Sequence, residues 1–327
     1  MKQTVRKRQL ERRPRRSGKH AQSRHLKVMP PWIAFGAATI LGVVRSIARS
    51  NGRYREAAMS WALAGASAAA TGLILGSIEV RRPRCERIRI PIAGLPAPFD
   101  DLTIAVIGDF HFRGDYRRAN LRQARCWIDE ARPDLIVMTG DFVDHLDDLP
   151  LLIEELRGIR APLGVFAVLG NHDYWFDPAA IERALEDLGV RLLVNEHQII
   201  ELSGEALVLA GVDDPWYGDA DLEATLADAP LPAPVILLAH APDYIERAAR
   251  AGVSLQISGH SHAGHVAMPL LGPAVLPMGA LRYYRGLYRY QQTWLYVNRG
   301  LGGRPLRINA SPELTLLRLE AARTLSQ

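Results

Sequence analysis

A chain of 327 residues that is 48% apolar is long enough for one large domain and a sizeable extension. Its net charge of +5 conceals an asymmetry: residues 1–90 hold 20 Lys and Arg against 4 Asp and Glu, net +16, whereas residues 91–327 hold 20 against 31, net −11. The acidic remainder excludes a phosphate-tracking nucleic-acid surface there, since such surfaces need clustered Lys and Arg, so nucleic acid is not expected as a partner. Two cysteines, Cys85 and Cys126, exclude a disulfide framework and favour a reducing compartment.

Residues 1–28 carry eleven Lys or Arg, one Glu and almost nothing apolar, which predicts a basic disordered tail. It reads as a topology signal for the apolar segments that follow rather than as a nucleic-acid arm. Residues 29–80 form the membrane region. Ala57–Ile78 is uncharged over 22 residues, enough helix to cross a bilayer. Met29–Val44 is a second, shorter candidate, and Pro30 and Pro31 shorten its helical part. With both spanning, the tail and the arginines at 81, 82, 84, 87 and 89 share one side, against those at 45, 49, 53 and 55. With Ala57–Ile78 alone, residues 81–327 sit outside. Both arrangements obey the positive-inside rule; the counts and the unpaired cysteines favour a cell-membrane hairpin with the remainder, residues 81–327, in the cytoplasm.

From Ile88 the pattern is α/β. Tyr116–Ala131, Leu149–Arg157, Pro178–Leu188, Leu222–Asp228 and Asp243–Ala251 have helical spacing. Val190–Val194, Ile199–Leu202, Leu207–Val212, Trp294–Val297 and Leu314–Leu319 read as short strands, while Arg282–Tyr290 could be an edge strand or a pocket wall. Five further apolar runs each end in polar residues of one chemical kind. Leu102–Gly108 leads to Asp109-Phe110-His111, Leu135–Met138 to Gly140-Asp141-Phe142-Val143-Asp144, and Gly164–Leu169 to Gly170-Asn171-His172-Asp173. Pro234–Leu238 leads to His240, and Val253–Ile257 to Gly259-His260-Ser261-His262-Ala263-Gly264-His265. Carboxylates and imidazoles at the carboxyl ends of buried strands face the crevice where ligands bind. Seven such N and O donors, Asp109, His111, Asp141, Asn171, His240, His260 and His262, exceed one tetrahedral zinc. They suit two divalent ions sharing a carboxylate, with Asp141 the natural bridge. Without thiolates, the ions expected are Mn, Fe or Zn, with manganese favoured.

These five blocks, in this order, resemble calcineurin-like metallophosphoesterases. The resemblance covers about Leu102 to Gly264. The tail, Gly286-Leu287-Tyr288 and Tyr296-Val297-Asn298-Arg299-Gly300-Leu301-Gly302, is similar to the membrane-associated YkuE-like branch. The resemblance implies a four-layer α/β/β/α sandwich of two mixed sheets with metals where the strands end. It assigns Asp109, His111 and His262 to one ion, Asn171, His240 and His260 to the other, and Asp141 to both. A metal-bridging hydroxide would attack phosphorus, with His172 as general acid oriented by Asp144. Protein-phosphatase members carry an arginine where His145 stands, which argues against phosphoprotein substrates. His265 stands where the branch usually has glutamine, as a substrate contact, a supporting group or a solvated loop residue.

The function expected is a membrane-anchored hydrolase of phosphomonoester, phosphodiester or pyrophosphate bonds in a small molecule or a lipid-linked substrate. Chlamydial-type relatives make UDP-2,3-diacylglucosamine pyrophosphatase-type hydrolysis the specific alternative. A non-catalytic metal-binding membrane scaffold is opposed by the intact His172 and Asp144, and a basic-tail nucleic-acid binder would depend on residues 1–28.

Overall fold

In a computed structural model, residues 55–268 and 270–322 are described; the basic tail and the shorter apolar candidate at 29–44 lie outside them. The apolar runs are buried on both faces and assemble into two six-stranded sheets. The first has the order β1 (Arg84–Ile92), β14 (Glu313–Ala321), β2 (Thr103–Ile107), β3 (Leu135–Met138), β4 (Val165–Ala167), β5 (Val190–Leu192). Strands β2 to β5 are parallel, and β14 runs antiparallel to β2. The second has the order β12 (Gly286–Tyr290), β13 (Thr293–Val297), β9 (Leu255–Ser258), β8 (Val235–Leu238), β7 (Glu205–Gly211), β6 (Glu196–Leu202). Its inner strands are parallel and both edge pairings antiparallel, so each sheet is mixed.

Side-chain alternation sorts these strands into layers. On β2 and β3, Ile104, Val106, Leu135 and Val137 pack between the sheets against Leu209, Ile236, Leu255 and Ile257. Their neighbours Ala105, Ile107, Ile136 and Met138 face outward, onto Leu121 and Ile128 of α2 (Tyr116–Ala131), Leu152 of α3 (Leu149–Leu156) and Ile181 of α4 (Pro178–Glu186). On the other side, Val208, Ala210, Val235 and Leu237 meet Leu222 of α5 (Leu222–Leu226) and Ile245 of α6 (Ile245–Arg250). The result is the four-layer α/β/β/α sandwich. Helix starts are capped as the sequence allows: Asp115, Asp177 and Asp221 accept backbone N–H bonds at α2, α4 and α5.

Three differences from the periodicity have local causes. Helix α6 begins two residues late, because Pro242 opens a 3₁₀ turn over Pro242–Tyr244 first. The run 164–169 gives only a three-residue strand, since the chain leaves the ladder to turn toward Asn171. Strand β1 was not expected from Arg84; Ile88, Ile90 and Ile92 alternate with charged or proline residues and pair in parallel with β14. Of Arg282–Tyr290, only Gly286–Tyr290 forms the edge strand β12, and residues 282–285 lead into it as loop. Preceding β1, helix α1 (Arg55–Glu79) covers the predicted span. Its window Met59–Glu79 is long and apolar enough to cross a membrane and only 6% buried, unlike a core helix.

Candidate metal centre

The carboxyl ends of β2, β3 and β4 in one sheet, and of β8 and β9 in the other, meet at a common edge. Past the strands, the loops continue to pair: Asp109 N–H donates to Gly140 O at 2.8 Å and His111 N–H to Asp141 O at 3.0 Å. The functional side chains are aimed by unusual backbone. Asp109, His111, Asp141, His260 and His262 have φ of 46°, 40°, 54°, 70° and 49°, a region that costs non-glycine residues about 1–3 kcal/mol each. Gly140, at φ 96°, packs so closely on Gly170 that a Cβ would lie 2.9 Å from its Cα. Strain of this kind persists only where the surrounding structure over-determines it.

All seven expected ligands are buried and converge in two clusters. In the first, His111 Nε2 lies 3.0 Å from His262 Nε2, which is 3.6 Å from Asp109 Oδ1. In the second, His240 Nε2 lies 3.2 Å from Asn171 Oδ1 and 3.1 Å from His260 Nδ1. Asp141 Oδ2 reaches both, at 3.4 Å from His111 Nε2 and 3.3 Å from His240 Nε2. Nitrogens about 3 Å apart span one coordination edge for metal–nitrogen bonds of about 2.1 Å, so the donor set fits two ions sharing Asp141. Supporting bonds turn the lone pairs inward. His240 Nδ1 donates to Thr139 O at 2.6 Å and His260 Nε2 to Met278 O at 2.8 Å. His262 is the exception: its Nδ1 faces Nη2 of Arg307 at 3.0 Å, a group that only donates, so its neutral ring carries the proton on the inward Nε2.

Charge is compressed here. Burial alone lowers the His240 imidazole, yet Asp141, Asp109 and Asp214 outweigh it and lift it to about 10. Burial and the adjacent His240 push His260 down to about 3, and burial, against the pull of His240, raises Asp109 to about 6.

Beside the clusters stands His172, whose N–H donates to Asp141 Oδ1 at 2.8 Å. Its Nδ1 is 3.2 Å from Asp144 Oδ1, and the same oxygen is 2.8 Å from His111 Nδ1. Asp144 therefore serves two histidines, where the sequence reading gave it one. Burial raises its carboxyl, but the bonds from His111 and His172 hold it well below the usual carboxylate range. The Trp175 ring lies 3.9 Å from that of His172 and fixes its plane. His265 is half-buried against His262, ring to ring at 4.6 Å, and accepts the Arg304 N–H at 3.0 Å, which removes the solvated-loop reading.

Two residues that organise the site have no role in the sequence reading. Asp173 accepts N–H bonds from Asp141, Phe142 and Gly170 at 2.8–2.9 Å, pinning the turn that carries Asp141. Arg307 is fully buried and donates to the carbonyls of His262, Arg299, Gly302 and Ala310. Asp173 adjoins His172 within its block, and its position was the available signal. Arg307 had none. The site opens into a cleft of about 890 Å³, lined also by Arg113, Arg117 and Arg304 and by Val266, Ala274, Val275, Pro277 and Leu306.

The calcineurin-like phosphoesterase profile matches residues 102–264, from β2 to the loop after β9. The metallophosphoesterase YkuE of Bacillus subtilis is 35% identical over 234 residues, covering 69% of this chain and 82% of that protein. Phosphodiesterase YaeI of Escherichia coli is 31% identical, covering 68% and 83%. A transmembrane protein with metallophosphoesterase domain from Danio rerio is 30% identical over 312 residues, covering 88% and 69%. With the fold, the donor clusters and these relatives in agreement, the chain belongs to the calcineurin-like phosphoesterase family and is a phosphoester hydrolase dependent on divalent metal.

Proposed function

We propose that the chain is a membrane-anchored, two-metal hydrolase of phosphomonoester, phosphodiester or pyrophosphate bonds. The observation that carries this reading is the pair of buried donor clusters joined by Asp141 Oδ2. Asp109, His111 and His262 would hold one ion and Asn171, His240 and His260 the other. Bound divalent ions would supply a nucleophilic water at neutral pH and neutralise phosphate oxygens. The chain's own residues do the rest. His172, whose ring lies 4.4 Å from that of His111, protonates the leaving oxygen, while Asp144 orients it. Arg113 and Arg304 give the cleft the positive charge that an anionic ester needs, in place of the arginine missing at His145, while Arg117 on the same wall is paired with Asp115. Asn171 ligates without adding charge. Helix α1 and the transmembrane relative support an anchor over residues 29–80 and an enzyme domain over 81–327, with the cytoplasmic side favoured by the arginine counts.

Metal analysis of the detergent-solubilised full chain, with turnover of p-nitrophenyl phosphate, bis-p-nitrophenyl phosphate and a nucleotide-diphosphate lipid, tests the reading. Two equivalents of manganese, iron or zinc and metal-dependent turnover of one ester class are expected. A single tightly bound ion, with no hydrolysis of any ester, would reject it.

A further inference from the structure

Val266–Leu281 contains no charged residue. Among the described residues, eight large apolar side chains outside α1 are exposed, and four of them, Leu270, Leu271, Met278 and Leu281, fall in this stretch. It begins with a hairpin, β10 (Ala267–Met268) and β11 (Gly272–Pro273), whose tip presents Leu270 and Leu271 at 106% and 60% exposure. Contiguous exposed apolar surface marks an interaction site.

What covers it follows from its neighbour. Helix α1 ends in Glu79, an acid at the end where the helix dipole disfavours one. It is held there by N–H groups of Asn309 and Ala310, at 3.0 and 2.9 Å, and by Ser311 Oγ at 2.8 Å. Arg307 N–H donates to Gly76 O at 3.1 Å, and a Cβ at Gly76 would lie 3.0 Å from Arg307 O. The other side of that segment carries the hairpin: Ala267 N–H donates to Ile308 O at 2.9 Å, and Asn309 Nδ2 to Ala267 O at 3.2 Å. Leu270 is three residues further, at most about 10 Å of extended chain. Leu306, in the same segment, lines the metal cleft together with Val266 and Val275. The apolar helix, the hairpin tip and the rim of the cleft are thus one continuous surface.

We propose that Leu270 and Leu271 enter the same bilayer that α1 crosses, so that the cleft opens onto the lipid surface and takes a phosphoester borne on an amphiphile's headgroup. This rests on α1 being a span. A water oxygen bonds to phosphorus as one P–O ester bond of the headgroup breaks; His172 gives its proton to a leaving oxygen that needs one and regains the proton that the water sheds.

The test uses the full chain with Cys85→Ala and Cys126→Ser in vesicles of phosphatidylcholine and phosphatidylglycerol. An environment-sensitive fluorophore is placed at Leu270→Cys, at Trp61→Cys within α1 and at Glu201→Cys on the far strand β6, with spin-labelled lipid as quencher. Quenching at 61 and 270 but not at 201 is expected. Quenching at 61 with 270 in water overturns the proposal and leaves the anchor standing; 61 and 270 both in water overturns both. In parallel, Leu270→Asp with Leu271→Asp should lower kcat/KM on a vesicle-borne diacylglycerol p-nitrophenyl phosphodiester at least about tenfold, one inserted leucine's worth. Turnover of soluble bis-p-nitrophenyl phosphate should not change. Equal kcat/KM for parent and variant on the vesicle-borne ester would also overturn the proposal.

Discussion

Replacing Asp173 by Asn changes one atom of a fully buried side chain and should still destabilise the fold. In the parent, Oδ2 accepts the N–H groups of Asp141 and Gly170, and Oδ1 accepts that of Phe142. Asparagine keeps one acceptor oxygen. Seated to serve the first two donors, it points its NH₂ at the Phe142 N–H, leaving that donor unsatisfied. Burial and the nearby Asp141 push the parent carboxyl up to about 7, so a neutral amide sheds part of the desolvation cost, and the net loss is that of one bond with its donor left unsatisfied, about 1–3 kcal/mol. For a domain of this size that is a fall in Tm of roughly 2–12 °C. The assay is thermal unfolding of the full chain in detergent with chelator, followed by circular dichroism, so that metal does not enter the comparison. Because these bonds fix the turn carrying Asp141, the variant should also retain less metal. A Tm within about 1 °C of the parent, well under 1 kcal/mol, would show that Asp173 does not hold this turn.

Asp141→Ala should remove more than one ion's worth of metal and abolish turnover, whereas Asp109→Ala should chiefly empty one cluster; an Asp141 variant with two metals and full rate sinks the bridging assignment. His172→Ala should keep its metals and lose roughly 10²–10⁴-fold in rate on unactivated esters, with a smaller loss on p-nitrophenyl esters, whose leaving group needs no proton. Metal loss instead would make His172 a ligand. Arg307→Met takes the donor from the carbonyls of Arg299, Gly302 and Ala310 and should destabilise by about 3–5 kcal/mol, with His262 misplaced; Arg307→Lys should not rescue it, because an ammonium lacks the guanidinium fork. Parent-like Tm and metal content in Arg307→Met would refute that role.

Most of the donors' convergence was legible because strand ends convert sequence order into spatial proximity. Each block pairs an uninterrupted apolar run, readable as a strand buried on both faces, with the Asp, Asn or His that follows it. The parts that were not legible act through backbone atoms. Asp173 and Arg307 bond to N–H and C=O groups, which every residue owns, so no partner residue type betrays them. Sharing of Asp144 between His111 and His172 depends on two turns packing within 4.4 Å, ring to ring, and spacing along the chain carries no trace of that. Val266–Leu281 hid in the open. Its uncharged composition is plain in the sequence, but only the hydrogen bonds through Asn309 and Ala267 place it beside α1.

Neither sheet owns the site. The first sheet contributes Asp109, His111, Asp141 and Asn171, the second His240, His260 and His262, and two bonds already stitch them together: His260 N–H to Asp109 Oδ1 at 2.8 Å and His240 Nδ1 to Thr139 O at 2.6 Å. Metal bound across this seam ties the sheets in the folded state and has no equivalent site in the unfolded chain, so binding must appear as stability. At free metal 100 to 1,000 times its Kd the gain is about 2.7–4.1 kcal/mol, or roughly 5–16 °C in Tm. Its pH dependence has a definite sign. Asp109, raised by burial to about 6, ligates only when ionised, so the increment from manganese should grow from pH 5 to pH 8. Without metal the sign from Asp109 reverses. A carboxyl whose folded pKa lies above its ordinary 3.8 binds protons more tightly when folded, and its contribution falls as pH climbs from 3.8 to about 6. Opposite slopes with manganese and with chelator are the expected pair; a manganese increment that shrinks toward pH 8 would mean that the ion binds elsewhere than this seam.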